Sequence, residues 1–144
     1  MTKVIKGKGP VAHRKIDSSP ADAKTDALAF AKVVKKSLIK AKVWAVFTVF
    51  QSDADLARTL GVHRSNVLRW KRGERPDREN WEQLVGIETV VSLLAGFLDD
   101  RSIPKWLHGF NAHLGDRRPV DVIREGRLSE VIAAIEAEKA GSFA

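Results

Sequence analysis

The 144-residue chain contains no cysteine. That absence excludes disulfides, thiolate catalysis and cysteine-built zinc sites, and it fits a reducing cytoplasm. Long apolar runs are missing too. The longest uncharged stretches, residues 43–52 and 89–98, have about half the length that a membrane helix needs. The four histidines, His13, His63, His108 and His113, include no i,i+4 pair with a neighbouring carboxylate of the metal-site type. His108 and His113 lie five apart across a turn and make a poor ligand pair. No phosphate-binding glycine loop, G-x-S-x-G elbow or dinucleotide fingerprint is present. Asp99 and Asp100 are adjacent at a helix end, where their carboxylates point apart, so they are a poor acid–base couple. A non-enzyme with no cofactor and no metal is expected.

What the chain does have is positive charge. The formal net charge is +7 and the isoelectric point about 9.9, which points to an anionic partner. Hydrophobic residues make up 44% and charged residues 30%, ordinary values for a soluble globular protein. The length suits one compact domain, or two small ones sharing a core. The basic N-terminus carries Gly7, Gly9, Pro10 and His13 where a signal peptide would be apolar, so a soluble intracellular protein, without a membrane partner, is expected.

One stretch, residues 53–73 (DADLARTLGVHRSNVLRWKRG), reads as helix, tight turn and second helix. Asp55, Leu56 and Ala57 belong to the first helix, and Gly61 turns the chain because glycine takes φ > 0 without steric cost. A second helix is expected from about Arg64 to Arg72, with Gly73 as a left-handed cap. Val67 and Trp70, three apart, face the first helix, while Ser65, Arg69 and Arg72 fall on the other side. This is the pattern of a DNA-binding helix-turn-helix. Five basic residues against one acidic within residues 62–75 favour DNA over a merely solvated face.

The rest supports that motif. Residues 1–24 lack any sustained period and read as a flexible basic arm, either lying along DNA phosphates or a minor groove, or simply solvated. Thr25-Asp26 is expected to open the first helix. Leu28, Ala31, Val34, Leu38 and Ala41 would form its apolar face, with Lys32, Lys35, Lys36 and Lys40 opposite as a solvated face or a supplement to phosphate contacts. Val43, Trp44, Val46, Phe47 and Phe50 suit the leading helix of the helix-turn-helix bundle. Whether residues 26–50 form one helix or two stays open, because no glycine or proline breaks them. Residues 25–76 are thus the DNA-binding domain. Pro76 then stops the recognition helix and Asp77 caps the next. Residues 77–100 form a broadly apolar connecting helix, central or at a dimer interface, in which Gly86 and Gly96 suggest close helix approach. Residues 101–144 break into short helices: Ser102 caps one, Pro119 starts another that Gly126 ends, and residues 128–139 form the last. Over residues 125–144 two basic side chains face four acidic ones, a net of −2, so this end meets a different partner.

Two blocks resemble the Xre/MbcA/ParS-type antitoxins of bacterial toxin–antitoxin pairs. DLARTLGVHRSNVLRWKRGERPD is similar to the Xre-type helix-turn-helix of phage repressors. WLHGFNAHLGDRRPVDVIREGRLSEVIAAIE, residues 106–136, is similar to the family's toxin-binding domain. Its pattern elements are Trp106-Leu107, Asn111, Leu114-Gly115-Asp116-Arg117-Arg118-Pro119, Gly126-Arg127 and Glu130-Val131. Asp116 stands where a second glycine is frequent, so the turn departs from the pattern there. The resemblance, spanning about residues 41–137, implies an all-α fold: an Xre-like helix-turn-helix bundle, then a small helical toxin-binding domain. It also implies an antitoxin that neutralises a RES-domain toxin, an NAD-degrading enzyme, and that represses its own operon. A C-terminal segment of such antitoxins often enters the toxin's cleft, here Glu138, Lys139, Ala140, Gly141, Ser142, Phe143 and Ala144, with Arg117 and Arg118 in the toxin-binding block.

On the DNA side, His63, Arg64, Ser65 and Arg69 occupy the start and exposed face of the recognition helix, where they would meet base edges in the major groove. Asn66, Lys71, Arg72 and Arg75 are assigned to phosphates. One such helix binds weakly, so a homodimer on a palindromic operator is expected. The competing reading is a stand-alone Xre-type repressor whose C-terminal half only dimerises or senses a ligand.

Overall fold

The computed structural model describes residues 2, 3, 7, 9 and 19–142. Most of the basic arm therefore lies outside the described residues, as do Phe143 and Ala144. Seven helices account for the described fold, in the order α1 (Pro20–Phe47), α2 (Asp53–Leu60), α3 (Arg64–Lys71), α4 (Arg78–Leu94), α5 (Ser102–His108), α6 (Pro119–Arg124) and α7 (Leu128–Ser142). A short 3-10 turn, Ala112–Leu114, joins α5 to α6. No strand occurs among the described residues; the only extended pairing there is a bridge between Asn111 and Arg117. The all-α expectation is met. No described helix is long and apolar enough to cross a membrane.

The chain divides into two compact units, residues 1–32 and 33–144. In the first, α1 begins at Pro20, not at Thr25. Ser19 supplies the cap: its hydroxyl accepts the Asp22 amide at 3.3 Å and donates to the Asp22 carboxylate at 2.7 Å. Pro20 then sits at the first helical position, where its missing N–H costs nothing. Thr25 lies inside the helix, its hydroxyl donating to the Ala21 carbonyl. Residues 26–47 are one helix, which settles that question.

In the second unit one hydrophobic core serves both the helix-turn-helix and the C-terminal helices. Leu56 and Val67 from the motif, Leu84, Ile87, Val90 and Leu94 from α4, Leu107 from α5, Val120 and Val122 from α6, and Val131 and Ile135 from α7 are all buried in it. Asp77 caps α4 by accepting the Asn80 amide at 2.9 Å. α4 buries Gly86 against α6, where a Cβ would lie 3.2 Å from Ile123, so the close approach expected there is present. Gly96 is different: it follows the end of α4 and packs no helix.

Two local expectations are corrected. Ser102 is the first residue of α5 and not its cap; Arg101 holds the cap position without a side-chain bond, and the Asp99 carboxylate accepts the Ser102 amide at 2.9 Å. The apolar face expected on α1 is also displaced. Ile39, Val43 and Val46 are buried, whereas Leu28, Val34 and Leu38 are exposed along with Phe30 and Val33. Residues 39, 43 and 46 share one face of a helix and residues 34, 38 and 41 another, so one rigid helix cannot turn both inward.

Asp116 is the single non-glycine residue with positive φ (58°) among the described residues, and it follows Gly115, also left-handed at 65°. Two consecutive left-handed residues reverse the chain so that the Asn111 amide meets the Arg117 carbonyl at 3.1 Å. This explains why glycine is frequent at that place in the pattern the block resembles. Aspartate tolerates the left-handed region better than most residues. Asp116→Gly should therefore raise stability slightly, by about 0.5 kcal/mol, and Asp116→Val should lower it by about 1–2 kcal/mol. Thermal unfolding of the pair would separate them by several degrees.

Candidate nucleic-acid interface and partner-binding face

The helix-turn-helix is built as its sequence dictates. Ser52 caps α2, accepting the Asp55 amide at 3.1 Å. Gly61 adopts φ 68° and returns its amide to the Arg58 carbonyl, and Val62 bonds to Ala57 at 2.9 Å. Ala57, Val67 and Trp70 are buried where α2 and α3 cross. Gly73, at φ 96°, ends α3 by donating to Trp70 at 2.9 Å.

This leaves an exposed basic face. His63, Arg64, Ser65, Arg69, Arg72 and Arg75 are exposed and Asn66 is half-buried. His63 has a local role that the sequence reading did not foresee. It is the N-cap of α3: its Nδ1 accepts the Ser65 amide at 3.3 Å and lies 2.8 Å from the Ser65 hydroxyl. Arg69 bonds the Asn66 side chain at 2.5 Å and pairs with Glu74 at 3.4 Å. Glu74 is a surface group, and exposed ion pairs of this kind are worth about 0–1 kcal/mol, so Arg69 can leave it at little cost.

Lys71 departs from its expected phosphate role. Its side chain is only 13% exposed, and its ammonium bonds Asp53 at 2.6 Å. The same ammonium sits 3.3 Å from the centre of the Phe47 ring and 4.4 Å from that of Trp44. The two rings meet edge to face at 5.7 Å. Lys71 thus ties α3 to α1 and α2, its ammonium engaged by Asp53 and the two rings. Its position follows Trp70, so the helix period alone puts it at the edge of the buried stripe. Only packing shows that an aromatic pair waits there.

Beside α3 lies an open cleft of about 470 Å³, lined by Lys36, Arg69, Arg72, Gly73 and Glu74. Lys36 packs directly across Gly73. A Cβ on Gly73 would sit 2.4 Å from the Lys36 Cγ and 3.1 Å from its carbonyl oxygen. Gly73 is required twice, for its dihedral and for this contact. The sequence places Lys36 on a lysine face that is either solvated or a supplement to phosphate contacts, without the packing across Gly73.

In the C-terminal block, Arg117 is a brace. Its guanidinium donates to the Leu114 carbonyl at 2.8 Å and to Glu130 at 2.8 Å, and it lies 3.5 Å from Glu125. Arg127 completes the cluster by also bonding Glu130. Arg118, more exposed, grips Asp121 with two bonds of 2.7 and 3.1 Å at the start of α6. The Arg117 hydrogen bond, helped by the nearby Arg127 charge, holds the Glu130 carboxyl below the usual glutamate range. A depressed carboxyl stabilises the fold fully above the ordinary glutamate value, about pH 4.3, and the contribution fades as pH falls through the lower, folded value. Glu130→Gln should therefore melt below wild type at neutral pH, and the gap should close in acid; thermal unfolding between pH 7 and pH 3 checks this.

The tail residues Glu138 to Ser142 complete α7 rather than lying beyond it. Glu138 accepts a hydrogen bond from the Trp106 indole N–H. Lys139 pairs with Glu136 at 3.4 Å and lies 5.4 Å over the Phe97 ring. Ser142 donates back to the Glu138 carbonyl at 2.9 Å, and Gly141 is exposed. His108 is structural: its Nε2 lies 3.1 Å from the Val49 carbonyl and its ring packs edge to face on Phe50. Among the described residues no group of acidic and histidine side chains is arranged to hold a metal.

No protein-family model matches the chain. It is 31% identical over 93 residues to the probable mycobacterial cidal antitoxin Rv3188 of Mycobacterium tuberculosis, covering 64% of this chain and 79% of that one. It is 33% identical over 79 residues to the mycobacterial cidal antitoxin MbcA of Mycobacterium bovis, covering 54% and 70%. Its fold matches a chain in the crystal structure of the M. tuberculosis MbcT–MbcA toxin–antitoxin complex, with a TM-score of 0.61 at 23% identity, covering 73% of this chain and 96% of that one. With the helix order, the shared core and these likenesses in hand, the chain belongs to the family of mycobacterial cidal antitoxins typified by MbcA.

Proposed function

We propose that the chain is a two-sided antitoxin of the bacterial cytoplasm. Its C-terminal face binds and neutralises a RES-domain, NAD-degrading toxin, and its helix-turn-helix binds a palindromic operator as a homodimer to repress transcription of its own operon. The observation that carries the reading is the family likeness in a chain whose basic helix-turn-helix shares one core with the C-terminal helices. The relatives are antitoxins, and one related structure is a toxin–antitoxin complex, which supports a protein partner. The exposed row His63, Arg64, Ser65, Arg69 supports base reading, and Asn66, Arg72 and Arg75 support phosphate contacts. Arg117 and Arg118 reach the toxin in this reading through the surfaces left by their internal pairs. Glu138, Lys139, Gly141, Ser142, Phe143 and Ala144 form the segment that enters its active site.

Gel-shift titration with DNA from upstream of the chain's own gene tests the DNA half. Arg69→Ala should weaken operator binding and relax the preference at one base position, by about 1–3 kcal/mol of discrimination. An equal loss on operator and random DNA would refute base reading by Arg69.

A further inference from the structure

The cleft between α1 and the end of α3 holds cations from two elements, and one of them, Lys36, lies outside the helix-turn-helix. We propose that Lys36, Arg69 and Arg72 form a binding site for one backbone phosphate of DNA, which Glu74 blocks in the free protein. The inference rests on the DNA-binding reading and adds to it both a contact from the supporting helix and an internal competitor. Three cations and one carboxylate line the cleft, so it is arranged for an anion. Lys36 is positioned there by packing: its stem lies across Gly73, whose missing side chain lets the two backbones approach. Glu74 already acts as an anion in this place, 3.4 Å from Arg69. Both side chains of that pair are 52% exposed, and an exposed pair is easily exchanged for a phosphate, which presents more acceptor oxygens to the same guanidinium. A guanidinium has five N–H donors, so Arg69 can hold the phosphate with some of them and offer the others to a base edge.

The test is binding of the full chain to two duplexes of roughly 30 bp, one from upstream of its own gene and one of random sequence, across a range of salt. Lys36→Gln should weaken binding to both duplexes alike, about three- to tenfold, and reduce the slope of log K against log salt by about 1. Lys36→Arg, which keeps the charge, should restore the slope. Glu74→Gln should tighten binding to both duplexes. Both positions are surface ones, and melting curves matching wild type confirm that the variants are folded. An unchanged slope in Lys36→Gln, or no tightening in Glu74→Gln, overturns the inference while leaving DNA binding itself standing. A wild-type chain that binds neither duplex at low salt overturns the DNA-binding reading, and this inference with it.

Discussion

Lys71→Ala is expected to lower stability by about 3 kcal/mol, a drop of roughly 10 °C in Tm for a chain of this size. Two losses combine. Asp53, whose side chain is only 16% exposed, loses its partner at 2.6 Å. Stranding a fully buried charge costs about 3–5 kcal/mol, and this partly buried one should cost somewhat less. The contacts over Phe47 and Trp44 add about 1 kcal/mol. Lys71→Met retains the stem and separates packing from charge, and Asp53→Asn combined with it should recover part of the loss. A phosphate contact would behave in the opposite way, sparing the melt and flattening the salt dependence of DNA binding. Chemical denaturation together with the salt slope decides between them. A Tm within about 2 °C of wild type and a slope reduced by one would show that Lys71 faces DNA after all.

The second large effect concerns the far end. Ending the chain after Ala137 should abolish growth rescue when the protein is co-expressed with a neighbouring RES-domain toxin, while operator binding is retained. The fold should survive. Among the described residues, the contacts removed from the rest of the fold are the Trp106–Glu138 hydrogen bond and the position of Lys139 beside Glu136 and over Phe97, along with the last turn of α7 itself. Together they are worth about 2–3 kcal/mol, against about 5–15 kcal/mol for a typical domain. Lost rescue in a protein that still melts cooperatively would therefore report on the toxin interface and not on unfolding. Glu138→Gln keeps an acceptor for the Trp106 indole and isolates the carboxylate charge from the tail's shape. Rescue that persists without residues 138–144 would remove the active-site plug, though neutralisation through the rest of the C-terminal face would stand.

These two experiments probe opposite sides of one core. Leu56 and Val67 from the α2–α3 motif are buried in the same cluster as Val131 and Ile135 of α7. Gly86 lets α6 approach α4 closely within that core.

By itself the sequence determined the features that depend on local chemistry. The helix-turn-helix follows from Gly61 and Gly73, which alone supply cheap left-handed turns, and from Val67 and Trp70 at helical spacing. The Asp77 cap and the Pro119 start are legible for the same reason: each is decided within a few residues. The family likeness of residues 106–136 carried the rest of the functional reading. Only the tertiary structure decided which of two apolar faces of α1 is buried, because both have helical spacing and the choice depends on what packs against them. It alone turned Lys71 inward, since the aromatic pair and carboxylate that hold it come from two other helices. It alone brought Lys36 beside Arg69 and Arg72, thirty-three residues and more along the chain. Such placements are set by contacts between distant segments, and hydrophobic period and capping do not encode them.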